Sequence, residues 1–418
     1  MIDQQKGARR ASCLAVALCI LATGAAAAQA PQFVIETIEV TGLPRPAAQG
    51  IVLAESRLVT GQSYSESQLA EAVYRVRRLP FVLDAQFALK KGTERGAYVL
   101  VITIEPTRPV FYEVGHSSLI GANGELEIEG STGASFGARQ FVGRHGLLFG
   151  SVLKGEGLDE IPLELGYTHY DVFGTGSFVT VIAAGAVGSD ERDTYSLQAE
   201  IGVPLDLRQS LRGQLAWSEA DLDERRFGGD PGSFNRRSSE ALSAALSWVY
   251  DTTDDPFFPT RGTRGVVGTS IGRSRTSGSL VFLDQRFDED REQTLWRVAA
   301  EGLRHYRVSP RQTLSAGAGA VWFRSEVEGN APAPLADFSF DRESYSAQVS
   351  LGYALDVLPA ARPIEWGDLR WETRLALGFV DPDDAFAVSS TSATLSTSVV
   401  FRHAWGLSRL TLTYLEAL

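Results

Sequence analysis

Sulfur-containing residues are scarce in this sequence, with two cysteines and one methionine in 418 residues. Cys13 and Cys19 both lie in a leading segment with the three parts of a secretory signal: basic residues, an apolar run from Ala11 to Thr23, and small residues at 26–28. Neither cysteine follows a small-residue lipobox, which argues against a lipoprotein. We therefore expect residues 1–28 to be a signal peptide, and the mature chain to have neither a disulfide nor a thiolate site.

Long apolar runs are also missing. The apolar part of the signal is shorter than the roughly 20 residues that a membrane-spanning helix needs, and no later stretch reaches that length. An exported chain of this kind is either soluble or a β-barrel, which satisfies its backbone hydrogen bonds between strands. The net charge of -12 further argues against a nucleic-acid partner, which favours a basic face.

The sequence has no pattern that indicates an enzyme, a cofactor or a metal. It contains neither a phosphate-binding loop nor a glycine-rich dinucleotide turn. Gly268–Gly272 matches the G-x-S-x-G pattern, but Ser270 lies in an alternating stretch with no helix after it, so we interpret it as a strand serine. The histidines are scattered without metal-ligand spacing: His116, His145, His169, His305 and His403.

Residues 33–106 have the pattern of a small α+β domain. Strands are predicted at 33–42, 81–90 and 98–105, and a helix is predicted at 46–59. Ser65 with Gln68 three residues later forms a capping box that begins a second helix. The predicted order is therefore β-α-α-β-β.

From residue 109 to the end the pattern changes to repeated alternation. In 195–205, 211–218, 313–323 and 394–402, apolar residues alternate with polar residues or glycine. Each stretch has about 10 residues, the length of a tilted membrane strand. We predict a transmembrane antiparallel β-barrel of 14–16 strands over 109–418, with the apolar set facing lipid and the polar set facing a lumen. A soluble β-sandwich is the alternative.

Connections between the predicted strands differ in length. Phe173–Thr175 and Leu207–Gln209 are short and are predicted to be periplasmic turns. Three polar connections are long and are predicted to be outer loops: Leu222–Arg237, Glu326–Asp341 and Asp381–Ser390. Five aromatic residues near predicted strand ends are expected at the membrane interfaces: Trp248, Tyr250, Trp322, Phe323 and Tyr414.

One turn carries a specific motif. Two prolines, an acidic pair and a glycine separate the alternating stretches that end at Tyr250 and begin at Gly265. This turn resembles the hairpin found in barrels of the Omp85 superfamily, the bacterial surface antigen D15-like proteins of the outer membrane. One interpretation is a stiff hairpin; the other adds fixed charge contacts with neighbouring loops or the lumen. The motif residues are Asp254, Asp255, Pro256, Pro259, Thr260, Arg261 and Gly262.

The α+β segment resembles a POTRA domain, the periplasmic module of that superfamily. The resemblance rests on Gly42 at the end of the first strand, Tyr64 before the second helix, and Leu79 and Phe81 at the start of the second strand. Leu79-Pro80 departs from the Gly-Tyr-Phe triplet that is common there. A generic α+β domain is the alternative.

Two features depart from the superfamily. Its transporters carry an Arg-Gly-aromatic motif on a loop folded into the lumen, and they usually have 16 strands. No such motif occurs in the matching loop, 324–343, or elsewhere. The predicted closing strand carries Leu410, Leu412 and Tyr414, and it ends at Leu418 instead of the usual aromatic residue.

The resemblance implies an outer-membrane protein, with its N-terminal domain in the periplasm, that assists insertion or translocation of polypeptides. It implies that clients add as a strand to the POTRA sheet edge, that the seam between the first and last strands is the weak point, and that the barrel contacts membrane lipid and possible assembly machinery. The alternatives are a passive pore or anchor and a two-partner secretion transporter, although the latter usually has two POTRA domains.

Overall fold

A computed structural model of the chain has two parts, an α+β domain at residues 32–106 and a closed β-barrel at residues 110–417. The predicted signal peptide, residues 1–28, and Leu418 of the predicted closing strand lie outside the described residues. The structure describes the whole chain apart from residues 1–30, 44, 122–127, 156–160, 188–191, 225–233, 283–284, 331–337, 359–367, 383–389 and 418.

The N-terminal domain follows the predicted β-α-α-β-β order, with one short strand added between the helices. The sheet order is β2-β1-β4-β3, in which β1 is parallel to β4 and β3 is antiparallel to it. The elements are β1 (Gln32–Thr41), α1 (Pro46–Ser56), β2 (Ser63–Ser65), α2 (Glu66–Val76), β3 (Val82–Lys91) and β4 (Ala97–Pro106).

Local sequence explains where these helices start. Pro46 occupies the first turn of α1, where its missing N–H costs nothing. The capping box of α2 is confirmed: the Ser65 hydroxyl accepts from the Gln68 N–H, and the Gln68 side chain accepts from the Ser65 N–H. Both helices pack on one face of the sheet, and the core between them includes Ile51, Leu69, Val73, Leu100 and Ile102.

The turn after β1 needs a glycine, as predicted. Gly42 has φ +88, and a Cβ at this position would lie 2.0 Å from the carbonyl oxygen of Ile104. Any other residue would therefore meet both backbone strain and a steric clash with β4.

The described residues of the barrel form 15 strands, a number within the predicted range. All neighbours pair antiparallel except the closing pair, β19 and β5. The strands are β5 (Val110–Gly121), β6 (Ile128–Val142), β7 (Gly146–Gly155), β8 (Ile161–Val172), β9 (Ser177–Val187), β10 (Arg192–Pro204), β11 (Gln209–Glu224), β12 (Phe234–Asp251), β13 (Gly262–Phe282), β14 (Gln285–Ser309), β15 (Gln312–Asn330), β16 (Phe338–Leu358), β17 (Asp368–Pro382), β18 (Ser390–His403) and β19 (Gly406–Ala417).

The alternation predicts the two faces of the wall correctly. Leu215, Leu242 and Leu351 point outward and are 59%, 60% and 65% exposed. Residues of the other set, such as Ser350 at 5% and Arg370 at 2%, face the lumen and are buried. Among the described residues, no helix is long and apolar enough to cross a membrane.

The prediction of uniform strands of about 10 residues is wrong on one side of the barrel. Strands β12 to β16 have 18 to 25 residues, whereas β5 and β7 have 12 and 10. The extra length comes from segments predicted to be loops. Strand β15 continues to Asn330 and β16 begins at Phe338, so little of the predicted loop 326–341 separates them.

Charged pairs across neighbouring strands explain this extension. The Arg324 guanidinium lies 2.7 Å from the Asp341 carboxylate, and the Arg275 guanidinium lies 2.7 Å from that of Asp290. Opposite charges on facing strands stabilise a ladder, so a polar stretch forms strand beyond the apolar band. One aromatic prediction is also wrong: Phe323 pairs with Arg297 on the inward-facing set, whereas Trp322 faces outward.

The odd strand number fixes the geometry of the closing pair. Strands β5 and β19 both begin at the end of the barrel that carries the N-terminal domain, where the Arg108 N–H donates to Ala404 and the Tyr112 N–H donates to Trp405. They therefore run parallel, with Ser408 opposite Val114 and Leu415 opposite Gly121. The count of 16 strands that is usual in the superfamily does not hold for this structure.

Candidate functional site

The N-terminal domain packs against one end of the barrel, called here the domain end. Two short turns predicted from the sequence, 173–175 and 207–209, lie at this end. The Leu207 carbonyl accepts from Arg75 of the domain, and Gly176, which follows the other turn, lies close to the Ala54 carbonyl. Leu147 and Tyr170 of the barrel join the hydrophobic core of the domain, and Phe81 packs edge to face on Phe141 with ring centroids 4.9 Å apart. The two parts thus share one continuous packed region.

Arginines at the ends of the two helices attach the domain to the barrel turns. Arg57, which follows α1 with φ 56, donates to the carbonyls of Asp206 and Gln209 at 2.5 and 3.2 Å. Arg75 of α2 is 3% exposed and donates to Leu207 in the same turn and to Ser56 in its own domain. These buried guanidinium groups tie α1, α2 and the β10–β11 turn together.

Two further arginine contacts link the parts. Arg208 in the β10–β11 turn donates both of its parallel N–H groups to the Glu71 carboxylate, each at 2.8 Å. This bidentate bond raises the pKa of Arg208 above its ordinary value. Arg78 lies 2.8 Å from Asp251 at the end of β12 and also donates to Thr253.

The predicted hairpin motif, residues 254–262, forms the turn between β12 and β13 at the domain end. The Asp254 carboxylate organises it by accepting hydrogen bonds from the Thr260 N–H at 2.8 Å, the Thr260 hydroxyl at 2.6 Å and the Arg261 N–H at 3.2 Å. Gly262 has φ +104, and a Cβ there would lie 2.3 Å from the Thr252 carbonyl. The sequence pattern Asp…Thr-Arg-Gly therefore closes this turn on itself.

The middle of the motif folds back into the barrel. Phe258 is buried between the guanidinium groups of Arg370 and Arg402, each 4.9 Å from its ring centroid. The Asp255 carboxylate lies 2.7 Å from Arg402 and accepts the Phe258 N–H at 2.8 Å. We call this arrangement the Phe258 latch. Burial acts to raise the pKa of Asp255, but Arg402 and the two backbone N–H groups of Phe257 and Phe258 hold it below its ordinary value.

Both latch arginines have further partners. Arg370 lies 2.6 Å from Asp356 and donates to the carbonyl of Pro259 at 3.1 Å, whereas Arg402 lies 2.5 Å from Asp368. Each buried cation is therefore paired and hydrogen-bonded, as buried charges must be. Of the two prolines in the motif, Pro259 thus has a direct contact with the lumen side, and Pro256 stiffens the chain between Asp255 and Phe258.

Arg261 points to the N-terminal domain instead. It donates to the Tyr74 hydroxyl, its guanidinium lies 5.7 Å from the Tyr74 ring centroid, and it is 3.9 Å from Asp254. On the domain side Arg77 lies 3.1 Å from Asp84 and reaches the carbonyl of Asp254. The motif therefore contacts the domain on one side and the lumen on the other.

The four POTRA-like positions have structural contacts. Gly42 makes the turn described above, and the Tyr64 hydroxyl accepts the Val59 N–H at 2.8 Å. Leu79 and Phe81 are buried where the domain meets the barrel. Of these positions, only Tyr64 lies on an edge strand of the sheet, the short β2.

Two edges of the domain sheet remain open. Strand β3 pairs with β4 on one side, and no other described strand pairs with it. Its first half is partly covered because Arg77 donates to the Ala85 carbonyl. Residues 86–91 extend beyond that contact, and the short strand β2 covers only residues 32–34 of β1.

The predicted closing strand is β19. Leu410, Leu412 and Tyr414 face outward and are 54%, 44% and 39% exposed. The cleft along the lumen side of the β19–β5 seam has a volume of about 400 Å³ and is lined by Glu113, Ser117 and Arg409 among others.

Sequence reasoning found the hairpin but missed its partners. Arg370 and Arg402 lie more than 100 residues from the motif, and nothing local connects them to it. Their position in the alternation could have identified them, because each is a charged residue in the inward-facing set and lies close to the domain end of its strand. The arginines at the helix ends, Arg57 and Arg75, carried no recognisable pattern.

The sequence of the barrel matches one family model. Residues 175–359 match the model of the Omp85 superfamily domain. No curated protein matches the sequence. Among solved structures, BamA from Haemophilus ducreyi lacking POTRA domains 1–3 is 13% identical, with a TM-score of 0.45 over 92% of this chain and 81% of that chain. CdiB from Acinetobacter baumannii is 9% identical, with a TM-score of 0.41 over 92% and 74%. The ferric yersiniabactin uptake receptor FyuA from Yersinia pestis is 11% identical, with a TM-score of 0.45 over 79% and 59%.

Proposed function

We propose that this chain, in which residues 175–359 match the Omp85 superfamily domain, is an outer-membrane barrel of that superfamily and assists the insertion or translocation of polypeptides at the outer membrane. In this proposal, residues 1–28 are a signal peptide and the domain at 33–106 is a POTRA-like module in the periplasm. The domain captures extended client chains, and the barrel at 109–418 receives them.

The open edge of β3 is the observation that carries the proposal. A strand edge presents unpaired backbone N–H and C=O groups, and an extended peptide satisfies them by adding as a further strand. The exposed half of β3 ends in Lys90 and Lys91, whose charges discourage pairing between two copies of the same edge while leaving it available to a client.

The seam between β19 and β5 is the proposed place where the barrel receives the client. Parallel pairing is slightly less stable per residue than antiparallel pairing, and the register spans only Ser408–Leu415 of β19. Opening this pair exposes two strand edges that a client strand can pair with. The chain has no nucleotide-binding motif, so the free energy for the process comes from client folding.

A cysteine cross-link tests strand capture directly, since the chain has no cysteine after residue 28. We compare Ala88→Cys on β3 with Thr103→Cys on β4. Both side chains are exposed on the same domain, but the backbone of β4 is paired on both sides. The probe is a synthetic peptide with the sequence of residues 406–417 and one added cysteine, under mildly oxidising conditions.

We expect the peptide to form a disulfide with the Ala88→Cys protein and to leave the Thr103→Cys protein largely unmodified. A scrambled peptide of the same composition should react weakly with both proteins. Equal reaction of the two variants, or no preference for the alternating peptide, would contradict capture at this edge.

A passive pore is the second candidate, and the lumen favours it. A cavity of about 540 Å³ in the middle of the barrel is lined mainly by small residues, such as Gly268, Gly319 and Gly378, together with Arg297 and Glu301. Single-channel recording in planar bilayers separates the two candidates. Steady conductance without a client, unchanged by deletion of residues 331–337, favours the pore. Deletion of only this segment leaves the flanking strands, which end at Asn330 and begin at Phe338, intact.

A further inference from the structure

A cavity lies inside the domain end of the barrel, where the ends of α1 and α2 meet strands β8 to β12. Its volume is about 190 Å³. The domain contributes Arg57, Arg75, Arg78 and Glu55 to its lining. The barrel contributes polar and aromatic residues that include Tyr170, Thr180, Ser210 and Arg212. The cavity therefore lies between the domain and the barrel.

The lining carries more positive than negative charge. Five arginines line the cavity, against the two lining carboxylates of Glu55 and Asp251. Outside the lining, Glu71 lies 2.8 Å from Arg208 and Glu200 lies 3.4 Å from Arg212. The Asp251 carboxylate already forms an ion pair with Arg78 at 2.8 Å. Within the described part of the chain, neither Arg57 nor Arg75 has a carboxylate within 4 Å, and their N–H groups donate to backbone carbonyls instead. Buried cations normally have an anionic partner, because removal from water is costly for an uncompensated charge.

Arg57 also has an unused donor. Its Nε is buried and has no hydrogen-bond partner in the described structure. An unmade hydrogen bond on a buried charged group costs more than one on a neutral group. Burial lowers the pKa of Arg57, and burial together with the nearby Arg57 charge lowers the pKa of Arg75 to about 9. Two crowded guanidinium groups, one of them with an unpartnered buried N–H, thus belong to the lining of the same cavity.

We propose that this cavity binds a small oxyanion of the phosphate class. The Arg57 and Arg212 guanidinium groups are the expected donors, with Arg75 and Arg78 supplying the surrounding positive charge and the hydroxyls of Thr180 and Ser210 completing the site. The volume equals a handful of water molecules at about 30 Å³ each, which suits a compact anion with its bound water.

The position of the site gives the anion a structural consequence. Arg57 belongs to the domain and Arg212 to β11, so an anion held by both connects domain and barrel. A ligand that binds only the docked state stabilises docking in proportion to its concentration relative to its dissociation constant. Bound phosphate therefore stabilises the docked position of the N-terminal domain, and the effect is reversible. It does not depend on whether the domain captures client strands.

The test measures binding of inorganic phosphate to the full-length protein, folded in detergent, by equilibrium dialysis with radiolabelled phosphate at constant ionic strength. Arg57→Gln should weaken binding at least about tenfold, because a hydrogen bond to a charged group contributes about 1.5–3 kcal/mol. Arg212→Gln, at a more exposed position, should weaken it in the same direction. Arg311→Gln, an exposed arginine in the β14–β15 turn at the same end, is the matched control and should leave binding unchanged.

Glu55→Gln tests for the opposite effect, an increase in the affinity for phosphate. Burial raises the pKa of the Glu55 carboxyl, so the comparison is made at alkaline pH, where the carboxylate is charged and competes with an anion for the same guanidinium groups. Its removal should strengthen phosphate binding severalfold, which general damage to the interface cannot do. Absence of saturable phosphate binding to the unmodified protein, or weaker binding in both Glu55→Gln and Arg57→Gln, would overturn the proposal.

Discussion

The β13–β14 hairpin and the β19–β5 pair are the two extremes of the barrel wall. Strands β13 and β14 have 21 and 25 residues, run antiparallel from Gly262–His305 to Phe282–Gln285, and carry ion pairs such as Arg273–Glu292 across the ladder. Strands β19 and β5 have 12 residues each and run parallel. The wall is thus strongly held on one side and weakly held on the other, so that any opening is expected at the β19–β5 seam.

The Phe258 latch connects these two regions across the domain end. It lies in the turn that begins β13, and it holds Arg370 on β17 and Arg402 on β18. Strand β18 is the neighbour of β19. The latch therefore connects β18, the strand next to the seam, to the turn that begins β13 on the side of the wall with the longest strands. Four predictions follow from this comparison, from the largest expected effect to the smallest.

The largest effect is expected from covalent closure of the seam. Ser117 and Thr411 are register partners on β5 and β19, and both belong to the inward-facing set. The double variant Ser117→Cys/Thr411→Cys, once oxidised, should reduce insertion of an unfolded outer-membrane barrel into liposomes to the level of liposomes without the protein. Reduction of the disulfide should restore insertion. Protection of the inserted probe from protease is the measurement.

A cross-link on the strong side is the control. Ala245 and Ser270 are register partners on β12 and β13 and also face the lumen. An oxidised Ala245→Cys/Ser270→Cys protein should retain insertion activity, because that part of the wall has no need to open. Equal loss of activity from both cross-links would remove the distinction between the two regions.

The second prediction concerns Phe258 beside its neighbour Phe257. Phe258 is 6% exposed and Phe257 is 49% exposed. Phe258→Ala leaves a cavity between two guanidinium groups and should lower the free energy of unfolding by about 3–5 kcal/mol. Phe257→Ala should change it by less than about 0.5 kcal/mol. Urea unfolding followed by tryptophan fluorescence measures both, and similar effects of the two variants would contradict the latch.

The latch also shows how far the sequence predicts this molecule. The hairpin at 254–262, the domain order and the facing of strand residues all follow from local pattern, since turn chemistry and alternation are local properties. The insertion of Phe258 between Arg370 and Arg402 is not local, because barrel closure brings those strands together. The sequence does not predict the full length of strands β12–β16, because charged residues such as Arg324 and Asp341 are typical of loops. The pairing of these residues across neighbouring strands depends on the fold and is not a local property.

The third prediction is the acid sensitivity of the latch. The pKa of Asp255 is lowered in the folded protein from an ordinary value of 3.8. A lowered folded-state pKa means that the pair contributes stability above pH 3.8, and that the contribution is lost as pH falls below this value. The unfolding free energy should therefore be insensitive to this group between pH 7 and 5 and fall below pH 3.8, by at most about 1.4 kcal/mol per pH unit for one proton.

Asp255→Asn identifies the group responsible. This variant removes one partner of a buried ion pair and should be destabilised at neutral pH by about 3–5 kcal/mol. The part of the pH dependence below 3.8 that belongs to Asp255 should disappear in it. An unchanged slope in the variant would assign the acid sensitivity to other carboxylates.

The smallest effect is expected at the exposed contact between the domain and the β10–β11 turn. Arg208 binds Glu71 in a bidentate pair, but the Arg208 side chain is 46% exposed, so solvent screens the interaction. Arg208→Gln should lower the stability of the docked domain by only about 0.5–1 kcal/mol. A double-mutant cycle with Glu71→Gln, measured by protease release of the domain at increasing urea, isolates the pair itself. A coupling energy as large as that of the buried Asp255–Arg402 pair would mean that surface pairs, and not the latch, hold the domain end together.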